Sequence, residues 1–321
     1  MSEQPPLDAT FFAFKKRERS FVLTSAAIAY YLVVLTLGAI FLALTWGLWS
    51  PLIAWYLEAI GAMSSGGTPS EPPRELVLAI APFSLLSIPI SLLAFAAFEA
   101  ASLRWLVRGA AGGGLFGLKL DADTWRVFGV YLCWILFFIC LVVAVGIFYA
   151  LLMALGSLGG AARIIAMLLG GLAPIGALGL LIWGAVLFAP AAATSVGRGK
   201  FSFMSARRVS SPRYWPLFTS YLLVIIGYIV IGSVIGAILQ LPLNSAMSPI
   251  LTSVLSGGDS QDALTSLREA LLTPTMIAVI AVNMLVSLVL SVVYYIAMFG
   301  VNARAVEAAV EAGEVERAAS S

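Results

Sequence analysis

The chain has no histidine and only two cysteines among 321 residues, and just 11% of its residues are charged. Histidine is the commonest general base and transition-metal ligand in proteins, so its absence removes the usual way of building such sites. Soluble domains carry about 25% charged residues, and a chain this poor in charge cannot cover itself with polar surface. The composition therefore indicates that part of the protein faces lipid.

The two cysteines, Cys133 and Cys140, lie seven residues apart in one uncharged run. On a helix this spacing places them two turns apart, about 10 Å along the axis, which is too far for a disulfide. We interpret them as buried small apolar residues. The sequence also lacks a basic tract with interleaved aromatic residues, so we expect no nucleic-acid binding.

Six long segments contain no Lys, Arg, Asp or Glu: residues 21–57, 76–98, 127–162, 164–197, 214–258 and 270–303. A helix that crosses the roughly 30 Å hydrocarbon layer needs about 20 apolar residues, and every segment is long enough. The predicted fold is therefore all-α, a polytopic membrane protein whose six transmembrane helices occupy residues 21–301. Residues 1–20 and 302–321 are predicted to be cytoplasmic tails.

Charges and turn residues place the six helices at about 21–46, 76–103, 125–154, 163–191, 214–240 and 272–301. Short loops rich in Lys and Arg stay on the cytoplasmic side of a membrane. With both termini on that side, all but three of the 18 basic residues share it. The three exceptions are Arg74, Arg163 and Arg268, so the charge pattern predicts cytoplasmic termini.

Two longer segments are predicted on the outer side. Residues 47–63 have apolar residues at helical spacing and fit either a tilted extension of helix 1 or a short interfacial helix. Residues 241–271 contain an apolar stretch, a turn at 257–260 and a short helix-like run. We interpret both segments as interfacial caps rather than as lids over a substrate.

Helices 2 and 3 align with helices 4 and 5 at one constant offset. Arg108-Gly109 matches Arg198-Gly199, and Trp125, Phe128 and Tyr131-Leu132 match Trp215, Phe218 and Tyr221-Leu222. Because both copies start on the predicted cytoplasmic side, the pattern indicates a parallel internal hairpin repeat with units at 76–154 and 163–240. Trp125 and Trp215, at the heads of helices 3 and 5, are predicted interfacial anchors.

A basic, glycine-containing loop that leads into Trp-x2-Phe-x2-Tyr-Leu resembles uncharacterised bacterial six-helix inner-membrane proteins. Among them is the membrane domain attached to some glycerophosphoryl diester phosphodiesterases. The resemblance covers residues 85–240 and implies a bacterial inner-membrane bundle. In that family the catalytic domain is a separate soluble barrel for which this chain has no room, so the resemblance assigns no catalytic residue.

Five polar residues are candidates for binding. Ionisable groups at membrane depth are costly and are functional candidates by default. Glu99 is an acid near the end of a predicted span, and we favour an ion pair with Arg104 over a solute or proton site. Arg108 and Arg198 belong to the repeated basic loops, where each cation adds about 1 kcal/mol of attraction to anionic headgroups. Asn283 in helix 6 is predicted to form an interhelical hydrogen bond.

Pro82 and Pro89 in helix 2 and Pro174 in helix 4 predict kinked or broken helices. Broken helices build substrate sites in transporters, whereas kinked helices are also tolerated as packing surfaces. The sequence places no charge at mid-membrane to couple an ion, so we favour packing. Gly232 and Gly236 predict a contact face on helix 5.

The sequence has no paired acids, no metal-ligand spacing and no nucleotide motif, so we expect no enzyme activity, cofactor or metal. The favoured function is a non-enzymatic protein of the bacterial inner membrane that scaffolds or assists envelope or lipid-related processes. Its expected partners are anionic lipid headgroups at the cytoplasmic loops, together with another protein or a second copy of the chain. The alternative is a small permease or lipid-handling transporter that uses Pro-broken helices 2 and 4.

Overall fold

A computed structural model describes residues 6–15, 21–64, 66–68, 70–110, 117–256 and 260–316. The α-helices of these residues are α1 (Pro6–Thr10), α2 (Phe12–Lys15), α3 (Phe21–Ser64), α4 (Arg74–Arg108), α5 (Ala122–Gly156), α6 (Gly160–Phe188), α7 (Ala191–Arg198), α8 (Ala206–Ser210), α9 (Tyr214–Leu255), α10 (Ser260–Leu271) and α11 (Pro274–Glu311). Short 3-10 helices lie at Phe203–Ser205 and Ser211–Arg213.

Within the described residues, six helical stretches are long and apolar enough to cross a membrane. They are formed by α3, α4, α5, α6 with α7, α9, and α11. Their exposed side chains are mostly large and apolar, as expected where lipid replaces water. The protein is therefore an all-α polytopic membrane protein, and the prediction from the uncharged runs is confirmed.

Helices α3 and α9 are much longer than a membrane span. They contain 44 and 42 residues and therefore measure about 66 and 63 Å, roughly twice the hydrocarbon thickness. The predicted ends at residues 46 and 240 are too early. Of the two alternatives for residues 47–63, the structure has the extension of helix 1.

The prolines do not break their helices. Pro82 and Pro89 lie inside the continuous α4, and Pro174 lies inside the continuous α6. Each proline removes one backbone hydrogen bond, and the remaining bonds of the flanking turns keep the helix intact. The description of helices 2 and 4 as broken is therefore wrong.

Two predictions about small residues also fail. A methyl group added at Gly232 or Gly236 would meet no atom of another described segment within 4 Å, so these glycines do not form a contact face with any described helix of the chain. Cys133 and Cys140 are free, but neither is buried as predicted: Cys133 is half-buried and Cys140 is exposed. In a span, an apolar residue gains nothing from burial against protein, because lipid is equally apolar.

The chain divides into two compact units. The first consists of Met1–Ala27, Phe95–Val224 and Ile296–Ser321. Its fully buried side chains come from α4, α5, α7, α8 and α11 and include Phe98, Leu103, Leu106, Val127, Val196, Val209, Val301 and Val306. Packing is close here: a methyl group on Gly300 would lie 2.8 Å from the Ala13 side chain, so α2 and α11 touch only because residue 300 has no side chain.

Helix ends in the first unit follow local sequence signals. The Asp121 side chain accepts hydrogen bonds from the backbone N–H groups of Asp123 and Thr124, at 3.1 and 3.2 Å, and so begins α5. Gly109 and Gly199 follow the last residues of α4 and α7 with φ of 68° and 65°. A residue with a side chain is strained at such angles, so both helices end on glycine.

The second unit consists of Ile28–Ala94 and Ile225–Tyr295. In it, Leu57 of α3 packs with Ile250 and Val254 of α9 and with Ala263 of α10. The predicted outer segments 47–63 and 241–271 thus pack against each other through apolar side chains. Part of the turn predicted at 257–260 lies outside the described residues.

Candidate functional site

A buried polar group lies in the first unit, on α4. The side chain of Glu99 is only 5% exposed, although a carboxylate is costly to remove from water. The hydroxyl of Tyr131, on α5, donates a hydrogen bond to this carboxylate. The bond is charge-assisted when Glu99 is ionised, which makes it one of the stronger hydrogen bonds available to a protein.

A second hydrogen-bonded pair lies beside the first. The hydroxyl of Tyr221, on α9, donates to Oδ1 of Asn302, on α11, over 2.6 Å. Glu99 also acts electrostatically on Tyr221. We call Glu99, Tyr131, Tyr221 and Asn302 the polar cluster. It brings together one residue from each of α4, α5, α9 and α11.

Aromatic rings adjoin the polar cluster. Phe95 stacks on Tyr131 with ring centroids 5.9 Å apart, and Phe299 lies 6.1 Å from Phe95 and 5.4 Å from Phe98. Phe98 and Phe299 are buried. Glu99, Tyr221 and Asn302 are themselves buried, so the hydrogen bonds there act in a medium of low dielectric constant and are individually stronger than in water.

Glu99 and Arg104 do not form the predicted ion pair. Arg104 is buried and pairs instead with Asp121, over 2.6 Å. Residues five positions apart on a helix point about 140° away from each other, whereas side chains three or four positions apart are neighbours. Within the part of the chain that the structure describes, no Lys or Arg lies at ion-pair distance from Glu99.

Arginines and acids from the ends of α4 and α5 form an ion-pair network. Arg108, the last residue of α4, binds Asp123 through two hydrogen bonds of 3.0 and 3.2 Å. The same guanidinium donates to the backbone carbonyl of Val196, on α7. Arg126 also pairs with Asp123. Both predicted binding residues Arg104 and Arg108 therefore hold helices together.

The C-terminal segment docks on the loop between α7 and α9. Arg213 pairs with Glu314 over 2.6 Å and donates to the backbone carbonyl of Ala308 over 3.2 Å. Helix α11 runs to Glu311, beyond the predicted end of helix 6 at residue 301. Arg198, the third predicted cationic binding residue, donates to the hydroxyls of Ser202 and Ser205 over 3.1 and 2.7 Å.

Other cations of these loops are exposed. Lys119, Lys200 and Arg207 point away from the packed interior, and large apolar side chains beside them are exposed as well. Exposed large apolar residues in the same loops and at the first turns of α5 and α9 are Leu120, Trp125, Phe201, Met204 and Trp215. We call Lys119, Lys200 and Arg207 the surface cations. Several other basic residues of the predicted N-terminal cluster, at 16–20, lie outside the described residues.

The two predicted anchor tryptophans have matching surroundings. Trp125 packs edge to face on Phe128 with ring centroids 5.7 Å apart, and Trp215 packs in the same way on Phe218 at 5.9 Å. Both indole rings are exposed near the first residues of their helices. An exposed indole at a helix head is the arrangement that an interfacial anchor requires.

Asn283 belongs neither to the polar cluster nor to the ion-pair network. The hydroxyl of Ser287, one turn further along α11, donates to its side-chain oxygen over 3.5 Å. The predicted interhelical hydrogen bond is thus replaced by one within the helix, because a serine at i+4 lies within reach. Among the described residues, no group of three His, Cys, Asp or Glu side chains is placed to hold a metal ion.

Sequence reasoning missed Tyr131, Tyr221 and Asn302. A signal for the tyrosines was present, because Tyr131 and Tyr221 occupy the same position in the two aligned segments. Nothing in the sequence marks Asn302 as the partner of a tyrosine 81 residues away. Comparisons with protein-family models, with curated proteins and with solved structures found no match to this chain.

Proposed function

We propose that this protein is a non-enzymatic component of the bacterial inner membrane that holds anionic lipids at its basic loops and so serves a scaffolding role in lipid-related or envelope processes. The observation that carries the proposal is the division of its cations. Arg104, Arg108 and Arg213 are tied to acids, whereas the surface cations are exposed beside exposed apolar side chains.

This division suits the membrane interface. Long cationic side chains lay their apolar stems on hydrocarbon and keep their charges at the headgroups, and tryptophans prefer the same depth. Each cation near an anionic membrane surface contributes about 1 kcal/mol of attraction, so three contribute about 3 kcal/mol. The ion-pair network supports the proposal too, because it holds together α4, α5 and α7, the helices that the exposed loops connect.

Lipid enrichment tests the proposal. The protein is purified from membranes in small lipid patches, and the phosphatidylglycerol content of the patch is compared with that of the bulk membrane. We expect enrichment with the natural chain and bulk composition with the triple variant K119Q/K200Q/R207Q. The matched control is R74Q/R163Q/R268Q, which removes three exposed arginines from the predicted outer side. Equal enrichment in both variants would refute the lipid role, and the same preparations report any co-purifying protein or second copy by native mass spectrometry.

The proposed orientation places both termini in the cytoplasm. It is tested on a chain in which Cys133 and Cys140 are replaced by alanine and single cysteines are introduced one at a time. Cysteines at positions 119 and 207 are expected to react with an impermeant thiol reagent only after the membrane is opened. Cysteines at 163 and 268 are expected to react in intact cells, and the reverse pattern would overturn the orientation.

We also propose that helices 2–3 and 4–5 arose by duplication as parallel units. Supporting observations are the left-handed glycines that end α4 and α7 at φ of 68° and 65°, and the matching edge-to-face pairs Trp125–Phe128 and Trp215–Phe218. The resemblance of residues 85–240 to bacterial six-helix inner-membrane proteins agrees with the proposed location. No catalytic role follows from it.

A small permease is the second candidate, and the polar cluster favours it. Carboxylates buried within membrane spans often mark ion or proton paths. The experiment is solute and proton flux in reconstituted vesicles with the natural chain and with Glu99→Gln. Flux that depends on Glu99 would support the permease, whereas identical background leakage in both preparations would exclude a role for this carboxylate in transport.

A further inference from the structure

A pocket opens in the first unit where the C-terminal turn meets the loop that follows α7. Its volume is about 230 Å³. One wall consists of Arg198, Ser205 and Arg208, and the other is the backbone and side chains of residues 313–316. It is separate from the polar cluster.

The acidic wall is held in place by a defined helix end. Gly313 has φ of 70°, its N–H donates to the Val310 carbonyl over 3.0 Å, and the N–H of Glu314 donates to the Ala309 carbonyl over 2.9 Å. This pair of bonds is a Schellman arrangement, which reverses the chain at the end of α11. The turn then places Glu314 on Arg213 and buries Val315.

The cationic wall is likewise ordered before any ligand arrives. Arg198 donates to the hydroxyls of Ser202 and Ser205, which fixes the direction of its guanidinium. Because the Ser205 oxygen accepts this bond, its own O–H remains a donor. Arg208 is exposed on α8, so its five N–H donors can meet a ligand without first leaving an internal partner.

The charges of the pocket favour a ligand that carries both a negative and a positive charge. Arg198 and Arg208 offer positive charge, while Glu316 offers an exposed carboxylate. Glu314 is already neutralised by Arg213. A free phosphate would satisfy the arginines and be repelled by Glu316, whereas a phosphate that carries an amine would satisfy all three groups.

We propose that this pocket binds a phosphate group linked to a primary amine, the chemistry of a phosphoethanolamine headgroup. The phosphate lies against Arg198, Arg208 and the Ser205 hydroxyl, and the ammonium lies against Glu316. The inference rests on the proposed function, since it names one headgroup class for the same basic loops, but it uses residues other than the surface cations.

The test measures binding of soluble phosphoethanolamine, and of inorganic phosphate as a comparison, to the full chain in lipid patches without phosphatidylethanolamine. We expect phosphoethanolamine to bind more tightly than phosphate. Loss of a charge-assisted contact typically costs about a factor of ten or more in affinity. Arg208→Gln should therefore weaken both ligands about tenfold, and Glu316→Gln should weaken phosphoethanolamine about tenfold while leaving phosphate unchanged or tighter. Arg163→Gln, which removes an exposed arginine of α6 outside the pocket, is the control.

A second arm separates the two sources of the headgroup. Patches that contain phosphatidylethanolamine should block the pocket to soluble phosphoethanolamine if the lipid is the ligand, and should leave it open if the ligand is the soluble compound. Either result supports the pocket. Equal affinities for phosphate and phosphoethanolamine, or an identical effect of Arg163→Gln and Arg208→Gln, would overturn it. Retained phosphoethanolamine binding in K119Q/K200Q/R207Q, together with lost enrichment in the control R74Q/R163Q/R268Q, would count against the proposed function alone.

Discussion

The guanidinium of Arg108 and the carboxylate of Asp123 form two hydrogen bonds, at 3.0 and 3.2 Å, that join the last residue of α4 to the first turn of α5. Asp123 is buried and also pairs with Arg126. Arg108 continues to the Val196 carbonyl of α7. One carboxylate thus holds two arginines, and through Arg108 it ties three helices together.

Asp123→Ala should lower the free energy of unfolding by about 2–3 kcal/mol, because it leaves two arginines facing a site without a carboxylate. Thermal unfolding in detergent measures the effect. Glu71→Ala is the control, since its ion pair with Arg74 is exposed on both sides and such pairs contribute at most about 1 kcal/mol. Equal losses in the two variants would mean that Asp123 has no special structural role.

Tyr131→Phe should destabilise the chain by about 1–3 kcal/mol, because the Glu99 carboxylate loses its donor in a dry environment. The same substitution should cost much less when Glu99 is already leucine, so a double-mutant cycle isolates the pair. Tyr56→Phe, which changes an exposed tyrosine, is the control. A coupling near zero between positions 99 and 131 would contradict the hydrogen bond.

Gly300→Ala should lower stability by about 1–3 kcal/mol, since the added methyl group would lie 2.8 Å from the Ala13 side chain and 3.0 Å from its backbone nitrogen. Backbone atoms cannot swing away as a flexible side chain can. Gly171→Ala, in α6, meets nothing within 4 Å and should be neutral or stabilising by about 0.5–1 kcal/mol. The midpoints of thermal unfolding of the two variants should therefore move in opposite directions, and a parallel shift would refute the packing.

Gly109→Ala and Gly199→Ala should each cost about 1–2 kcal/mol, because alanine is strained at a positive φ. Asparagine tolerates this region better, so Gly109→Asn and Gly199→Asn should recover part of the loss. Similar values at both positions are expected if the two segments are duplicated units. A loss of stability at only one position would mean that the two glycines do not have the same structural role.

The sequence predicted the helices better than their ends. The predicted start of helix 5, at residue 214, is confirmed, because a basic cluster precedes the apolar run. Residues 16–20, which precede the predicted start of helix 1, lie outside the described residues. The predicted C-terminal ends of helices 1 and 5, at residues 46 and 240, are wrong. The apolar pattern continues without charge into the outer segments, and neither Pro51 nor Pro242 ends the helix in which it lies.

For the charged residues, the sequence did not predict the partners that the structure shows. The pair Arg213–Glu314 attaches the C-terminal segment to the loop between α7 and α9, a contact that the charge pattern alone does not specify. The partner of Glu99 was predicted one turn away on its own helix, at Arg104, and is found 32 residues away at Tyr131. The spacing of residues along one helix does not show how the neighbouring helix is rotated about its axis, so it cannot predict contacts between the two.

By itself, the sequence determined the class of this protein. Hydrocarbon thickness requires a length of uncharged chain, and length and charge can be read one residue at a time. Only the tertiary structure decided which charges are neutralised and which remain exposed, because that depends on how far each helix is turned and raised against its neighbours. Glu99 and Arg208 are both ionisable residues on helices, yet Glu99 is buried and Arg208 is exposed at a pocket.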